Sequence, residues 1–146
     1  MHDWAEADAS DVVNLLELSR HPEGGWFRET WRASAPAGER AAGTAIYYLL
    51  PHGERSRWHR IDAAEAWHFY AGAPMQLDVS ADGITVEQVV LGTSLATGER
   101  PQHVVAAGAW QSARSLGRWS LVGCTVSPAF ELAGFELAAE GWEPSG

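Results

Sequence analysis

The stretch SRWHRIDAAEAWHFYAG, residues 56–72, contains two strand-like segments separated by a short link. The segments are SRWHRI (56–61) and EAWHFYAG (65–72), and both are rich in aromatic or aliphatic side chains. Short segments of this kind, bounded by turn residues or glycine, are typical of antiparallel strands. The DAA link between them is tight, so the stretch predicts two strands that lie close to each other.

The same pattern continues on both sides of this stretch. Breaks rich in Gly, Pro and Ser separate further predicted strands at 26–31, 44–50, 75–80, 84–92, 103–108, 109–114, 119–126 and 135–139. Before them, SDVVNLLEL (10–18) has the apolar spacing of a short helix, with Ser10 as the expected N-cap. About ten strands and one helix favour an all-β sandwich or barrel. We expect one domain over residues 1–146.

Period-two alternation assigns the strand side chains to faces. In SRWHRI, His59 shares a face with Arg57 and Ile61. The short link then allows His59 to meet Glu65 on the adjacent strand. A His–Glu pair is therefore the first candidate for chemistry in this chain.

The second strand carries its own alternation. Glu65, Trp67 and Phe69 share one face, and His68 lies on the other. A metal site made of His59, Glu65 and His68 would need a bulge in the strand, because regular pleating separates the last two. We therefore expect His68 to serve packing or an interface rather than the candidate site.

Composition restricts the partners and the chemistry. The net charge of −9 disfavours nucleic acid and anionic membranes as partners. All ten positive charges are Arg, so a lysine Schiff base is excluded. Cys124 is the only cysteine, so no intrachain disulfide forms. No signal peptide or membrane span is evident in the sequence, and we expect a cytoplasmic protein.

Two short motifs carry a resemblance to a known family. His59, Ile61, Glu65 and Gly72 have the layout of the first cupin motif, with Ile61 in place of its second histidine. AAGAWQ (106–111) resembles the second cupin motif, with Gln111 in the histidine position. The distance between the two motifs is also similar to that of small single-domain cupins.

A narrower resemblance covers nearly the whole chain. It is to a cupin branch described as a domain of unknown function, and it is carried by HPEGGWFRET (21–30), TAIYYLL (44–50), EAWHFYAG (65–72), GERPQHVVAAGAWQ (98–111) and SLVGCTVSPAFE (120–131). This resemblance implies a double-stranded β-helix (jelly roll), commonly a homodimer, similar in shape to nucleotide-sugar epimerases and germin-like proteins. It does not imply one activity, because cupins host many chemistries.

The resemblance offers His59, Glu65 and Gln111 at three of the four cupin ligand positions. Ile61 cannot bind a metal, and the neutral amide oxygen of Gln111 is a weaker donor than imidazole or carboxylate. We expect no resident cofactor. The alternative is a divalent metal held by His59, Glu65 and Gln111, as in a metal-dependent lyase or dioxygenase.

Without a metal, the same residues suit proton transfer. Apolar neighbours such as Trp67 and Phe69 disfavour the charged form of Glu65 and raise its pKa, so His59 can act as a base and Glu65 as an acid. We expect an isomerase or epimerase acting on a small polar metabolite of a sugar-like or carboxylated kind. The substrate-binding residues expected are Gln111, Glu29, Phe27, Trp67 and Phe69.

Two further interpretations stay open. The same pocket can belong to a small-ligand-binding domain without catalysis. His59, Glu65 and Gln111 can also form a polar cluster in which each group satisfies the others, since buried polar groups need partners.

Overall fold

Residues 6–145 are described by a computed structural model, and their strands form two antiparallel sheets. A single α-helix, α1 (Ala9–Leu16), precedes the sheets in this range. The strands are β1 (Ser19–Arg20), β2 (Trp26–Arg32), β3 (Thr44–Pro51), β4 (Arg55–Ile61), β5 (Ala64–Gly72), β6 (Met75–Ser80), β7 (Glu87–Leu91), β8 (Gln102–Val105), β9 (Trp110–Ser115), β10 (Trp119–Ser127) and β11 (Phe135–Leu137). Short 3-10 turns occur at Leu95–Thr97 and Leu132–Gly134.

The two sheets face each other around one main core. The first has the strand order β1-β2-β3-β10-β5-β8, and the second has the order β11-β4-β9-β6-β7. Leu50 and Val122 of the first sheet pack with Met75 and Leu77 of the second, and all four side chains are fully buried. The order interleaves strands that are distant in sequence, as in a jelly roll. The predicted all-β jelly roll with a short N-terminal helix is confirmed.

The helix starts earlier than its sequence pattern indicates. Its N-cap is Asp8 rather than Ser10, because the backbone N–H of Asp8 donates to the Asp11 carboxylate at 3.0 Å in a capping box. It ends at Glu17, which adopts a left-handed conformation. Val12 packs against Leu49 in a second, smaller cluster. Within residues 6–145, no helix is long and apolar enough to span a membrane.

Strand β4 departs from regular alternation at one place. Its pairing with β9 shifts register between Ser56 and His59, and both of these side chains are buried. The expectation that Arg57 shares a face with His59 is therefore wrong: Arg57 instead donates to the backbone carbonyl of Ala138 at 2.9 Å. A bulge reverses the alternation after it, so Ser56 and His59 both point inward although they are three residues apart.

Strand β5 follows the predicted alternation. Glu65 and Trp67 are buried, whereas His68 contacts the Thr125 hydroxyl at 3.0 Å and stacks on the half-exposed Tyr70. In the register with β10, Trp67 lies opposite Cys124. His68 therefore lies on the outer face of the sheet, away from Glu65, as the sequence predicted.

Candidate functional site

A cavity of about 670 Å³ opens between the two sheets. His59, Glu65, Glu29 and Phe27 line it, as the sequence analysis expected of site residues. The remaining lining residues are Arg20, His21, Pro22, Glu23, Arg32, Thr44, Ile46, Ile61, Cys124, Val126, Phe130, Glu131, Leu132 and Phe135. The cavity wall thus combines several titratable side chains with apolar ones.

The bulge in β4 sets the chemical state of His59. Its Nδ1 lies 2.7 Å from the carbonyl oxygen of Arg57, which can only accept, so Nδ1 carries a hydrogen. In the neutral ring, Nε2 then holds a lone pair. Burial lowers the pKa of His59 and so favours this neutral form, although Glu65 acts in the opposite direction. His59 is thus arranged as a proton acceptor at Nε2.

Glu23 is a site residue that the sequence analysis missed. Its carboxylate is buried, with Oε1 3.4 Å from His59 Nε2 and Oε2 accepting a hydrogen bond from the Ser56 hydroxyl. Burial raises the pKa of Glu23 to about 8, although the hydroxyl groups of Ser56 and Tyr48 lower it. Glu23 therefore forms a second acidic group beside His59.

The turn HPEGG (21–25) brings Glu23 to this position. The backbone N–H of Arg57, freed by the bulge, donates to the Glu23 carbonyl at 2.7 Å. Gly24 has φ of +106°, and a Cβ there would lie 2.3 Å from the Arg55 carbonyl oxygen. The paired glycines were the available signal, because such a close backbone approach requires glycine. In the sequence they indicated only a turn.

Replacing Gly24 with alanine is expected to destabilise the protein by about 3 kcal/mol or more, because left-handed strain adds to a backbone clash. Gly38→Ala is the matched control: Gly38 has φ of +82° with no atom within 4 Å of the added Cβ, so only the strain of about 1–2 kcal/mol applies. Urea unfolding of both variants measures the difference. Equal losses would show that the contact between Gly24 and β4 is unimportant.

His21 belongs to the same turn and also faces the cavity. Its Nδ1 accepts a hydrogen bond from the Glu23 backbone N–H at 3.1 Å, and its ring meets Phe27 edge-on with 4.6 Å between the centroids. Burial, reinforced by the neighbouring His59, lowers the pKa of His21 to about 4. His21 therefore both stabilises the turn and forms part of the cavity wall.

Gln111 hydrogen-bonds Glu65 on the side away from the cavity. The Gln111 amide donates to Glu65 Oε1 at 2.8 Å, and burial raises the pKa of Glu65 to about 7, against the lowering effects of His59 and of this hydrogen bond. The rise agrees with the effect expected from the apolar surroundings of Glu65. Cys124 also lines the cavity, and burial raises the pKa of its thiol well above its usual range.

Gln111 does not reach the cavity itself. The Trp67 indole N–H donates to Gln111 Oε1 at 2.8 Å, and since an indole only donates, the orientation of the amide is set. Gln111 and Trp67 are almost fully buried behind Glu65, and neither they nor Phe69 line the cavity. These three side chains, expected to bind the substrate, thus lie behind the cavity wall, and their contact with a substrate stays a prediction.

The orientation of the Gln111 amide also decides whether His59, Glu65 and Gln111 can hold the divalent metal considered as an alternative. The Gln111 oxygen already accepts from Trp67 and its amide nitrogen faces Glu65, so the set His59, Glu65 and Gln111 does not fit a metal ion. In the part of the chain from residue 6 to residue 145, no group of three or more His, Cys, Asp or Glu side chains has a metal-binding arrangement.

Glu29 lies at the exposed end of the cavity rather than beside Glu65. Its carboxylate pairs with the Arg32 guanidinium at 2.8 Å, and the two side chains are 38% and 43% exposed. Arg32 also donates to the carbonyl of Phe130 at 3.0 Å. The pair therefore links β2 to the segment after β10 at the cavity entrance.

Comparisons with known proteins agree with this architecture. The chain is 38% identical to protein SO0799 from Shewanella oneidensis, with a TM-score of 0.86 over 91% of this chain and 85% of that one. It is 29% identical to a hypothetical protein from Leishmania major, with a TM-score of 0.84 over 93% and 90% of the two chains. No curated protein matches the chain.

More distant structures share the fold alone. An oxalate decarboxylase from Bacillus subtilis has a TM-score of 0.63 at 13% identity, over 81% of this chain and 29% of that one. The family model described as "Cupin superfamily (DUF985)" matches residues 10–138. The resemblance inferred from the sequence is thereby confirmed, and the chain belongs to the cupin superfamily, in the family described as DUF985.

Proposed function

We propose that this cupin is a small-molecule enzyme of the isomerase or epimerase type, in which His59 and Glu65 move a proton. The observation that carries the proposal is the set of three buried titratable side chains, Glu23, His59 and Glu65, on the wall of one cavity. Burial raises the pKa of Glu23 to about 8 and of Glu65 to about 7, and it lowers the pKa of His59. A neutral base and a neutral acid are therefore both favoured near pH 7.

The proposed step uses His59 as the base and Glu65 as the acid. Nε2 of His59 takes a proton from a carbon next to a carbonyl, and the electrons of the C–H bond form a C=C bond. The carbonyl oxygen receives the displaced electron pair and takes the proton of Glu65. In a hydroxyketone, His59 then returns its proton to the carbon that carried the carbonyl, and the neighbouring hydroxyl group gives its proton to Glu65. The product is the isomer with the carbonyl moved by one carbon, and both groups regain their starting protonation states.

Glu23 supports the charge that develops on His59. Once His59 is protonated, its positive charge lies beside Glu23, whose Oε1 is 3.4 Å from Nε2. An adjacent positive charge lowers the pKa of a carboxyl group, so Glu23 and His59 can share one proton. Gln111 keeps Glu65 oriented, Glu29 contributes to the outer part of the binding surface, and Phe27 belongs to the aromatic part of the wall beside His21.

Deuterium exchange tests the proposed function without knowledge of the substrate. The protein is incubated in D₂O with small hydroxyketones, aminoketones and keto sugars, and proton NMR follows the loss of C–H signals next to the carbonyl. Enzyme-dependent exchange in at least one compound is expected. If none exchanges while a compound still raises the melting temperature, the protein is a ligand-binding domain. Turnover of a compound that is seen only after a divalent metal is added would favour the lyase or dioxygenase alternative.

We also propose that the chain forms a homodimer through the six-stranded sheet. Trp31 on β2, Tyr70 on β5 and Val104 on β8 are each more than half exposed. Burial of such side chains against a second copy is favourable because it removes apolar surface from water.

The dimer surface is tested by one charge introduced on it. Val104→Glu is expected to convert the dimer to a monomer in light scattering coupled to gel filtration. Ile84→Glu is the control, because Ile84 is similarly exposed but follows β6 in the other sheet. A wild-type monomer at tens of micromolar, or dissociation by both variants, would contradict the proposal.

A further inference from the structure

Four aromatic rings form a continuous part of the cavity wall. The His21 ring centroid lies 4.6 Å from that of Phe27 and 6.3 Å from that of Phe135, and Phe135 lies 5.8 Å from Phe130. All four residues line the same cavity as Glu23 and Glu65. Aromatic faces attract positively charged groups, most strongly where water is excluded.

The two buried carboxyl groups of the cavity, Glu23 and Glu65, have no arginine partner within residues 6–145. Glu23 meets only the rings of His21 and His59 among the basic side chains of residues 6–145, and Glu65 forms no ion pair there. The two arginines of the wall each pair with a different acid: Arg20 with Glu54 at 2.7 Å and Arg32 with Glu29 at 2.8 Å.

Two buried acids beside aromatic rings form a site for positive charge. We infer that the cavity binds a small organic cation, whose ammonium group lies between the carboxyl groups of Glu23 and Glu65 and the rings of Phe27, Phe130 and Phe135. The inference rests on the proposed function only in taking this cation as the substrate; binding itself can be measured independently.

The same arrangement disfavours a carboxylated ligand deep in the cavity. Its negative charge would approach Glu23 and Glu65 without a neighbouring arginine to compensate, which raises the cost of burial. A carboxylated substrate was one expectation from the sequence. The structure favours an ammonium compound instead, because an ammonium group supplies the charge that these two acids lack.

Binding of a cation should be linked to pH. Burial without compensation raises the pKa of Glu23 to about 8 and of Glu65 to about 7. An ammonium group favours the ionised carboxylates, so its binding releases protons and strengthens as the pH rises from 6 to 8. The other titratable or charged groups around these acids are His21, His59, Tyr48, Cys124, Glu29, Glu131, Arg20 and Arg32.

Three probes of similar shape and different charge test the inference. Choline is the cation, 3,3-dimethylbutan-1-ol is its neutral isostere, and 3,3-dimethylbutanoate is the anion. Calorimetric titration of the full chain at pH 8 is expected to give at least tenfold tighter binding of choline than of either other probe. The preference for choline over the alcohol should fall by at least threefold at pH 6.

Variants then locate the charge that choline contacts. Glu65→Gln is expected to weaken choline binding at least tenfold and to leave binding of the alcohol unchanged, which also reports that the cavity is intact. Glu23→Gln provides the same test if the first variant does not fold. Glu136→Gln is the control, because Glu136 pairs with Arg60 at an exposed site outside the cavity.

Several results would overturn the inference. Equal binding of choline and the alcohol at pH 8, stronger binding of the anion, or choline affinity unaffected by both carboxyl variants would each do so. Displacement of choline by micromolar Mn²⁺ would assign the acids to a metal instead. Deuterium exchange in a neutral ketone without choline binding would refute only this inference, whereas choline binding without any exchange would refute only the proposed enzyme activity.

Discussion

His59→Ala is expected to lower the rate of substrate deuterium exchange by about 100- to 10,000-fold, the range attributed to one general base. The reason is that Nε2 of His59 holds the lone pair that accepts the proton, while Nδ1 is committed to the Arg57 carbonyl at 2.7 Å. The same compound should still raise the melting temperature of the variant. Exchange measured by NMR, together with thermal shift, separates catalysis from binding.

A structural role for His59 is distinguished by chemical rescue. Free imidazole should restore part of the exchange rate in His59→Ala, because it can occupy the vacated volume and accept a proton. His68→Ala is the matched control: His68 lies on the outer face of β5 and contacts Thr125, so the exchange rate should not change. An unchanged rate in His59→Ala, or equal losses in the two variants, would remove His59 from the mechanism.

The free energy of unfolding is expected to fall by about 2 kcal/mol between pH 6.5 and pH 8, mainly because of Glu23. Its pKa is about 8 in the folded protein and 4.5 in an unperturbed glutamate, so the folded state holds a proton that the unfolded state has released. When the folded state binds one proton more than the unfolded state, the free energy of unfolding falls by about 1.4 kcal/mol for each unit of rising pH. The interval from pH 6.5 to pH 8 is about 1.5 units. Glu65 adds a smaller loss, since its pKa is about 7.

The choice of interval isolates the carboxyl groups. A histidine whose pKa is lowered by folding destabilises the protein only as the pH falls below the pKa of that histidine in the unfolded chain. The pKa of His21 is about 4 in the folded protein against 6.5 when unperturbed, so His21 affects the free energy of unfolding below pH 6.5. Urea unfolding at several pH values measures the slope. Glu23→Gln should abolish most of it, and the exposed Glu136→Gln should preserve it. A flat profile in the wild type would show that Glu23 is not held in its acid form.

Much of the fold and half of the site were predictable from local patterns. Alternation correctly separated Glu65 from His68 on β5, because a regular strand turns successive side chains to opposite faces. The short link and the cupin-like motif also pointed to His59 and Glu65, which line the same cavity. The family resemblance is confirmed over residues 10–138.

The other half of the site depends on irregular backbone. The bulge in β4 turned Arg57 away from His59, and alternation alone has no means of predicting where one extra residue enters a strand. Glu23 was missed because a glutamate in a Pro- and Gly-rich turn is ordinarily solvent-exposed. Only the pairing of this turn with β4 buries its carboxyl group.

By itself, the amino-acid sequence determined the strand pattern, the family and the residues His59 and Glu65, because these depend on periodicity and spacing along the chain. Tertiary structure alone decided what surrounds them. Register between β4 and β9 placed Gln111 behind Glu65, and contact between the turn and the bulge brought Glu23 to His59. Such contacts join residues more than thirty positions apart, and burial, which shifts the pKa values, exists only once the sheets have closed.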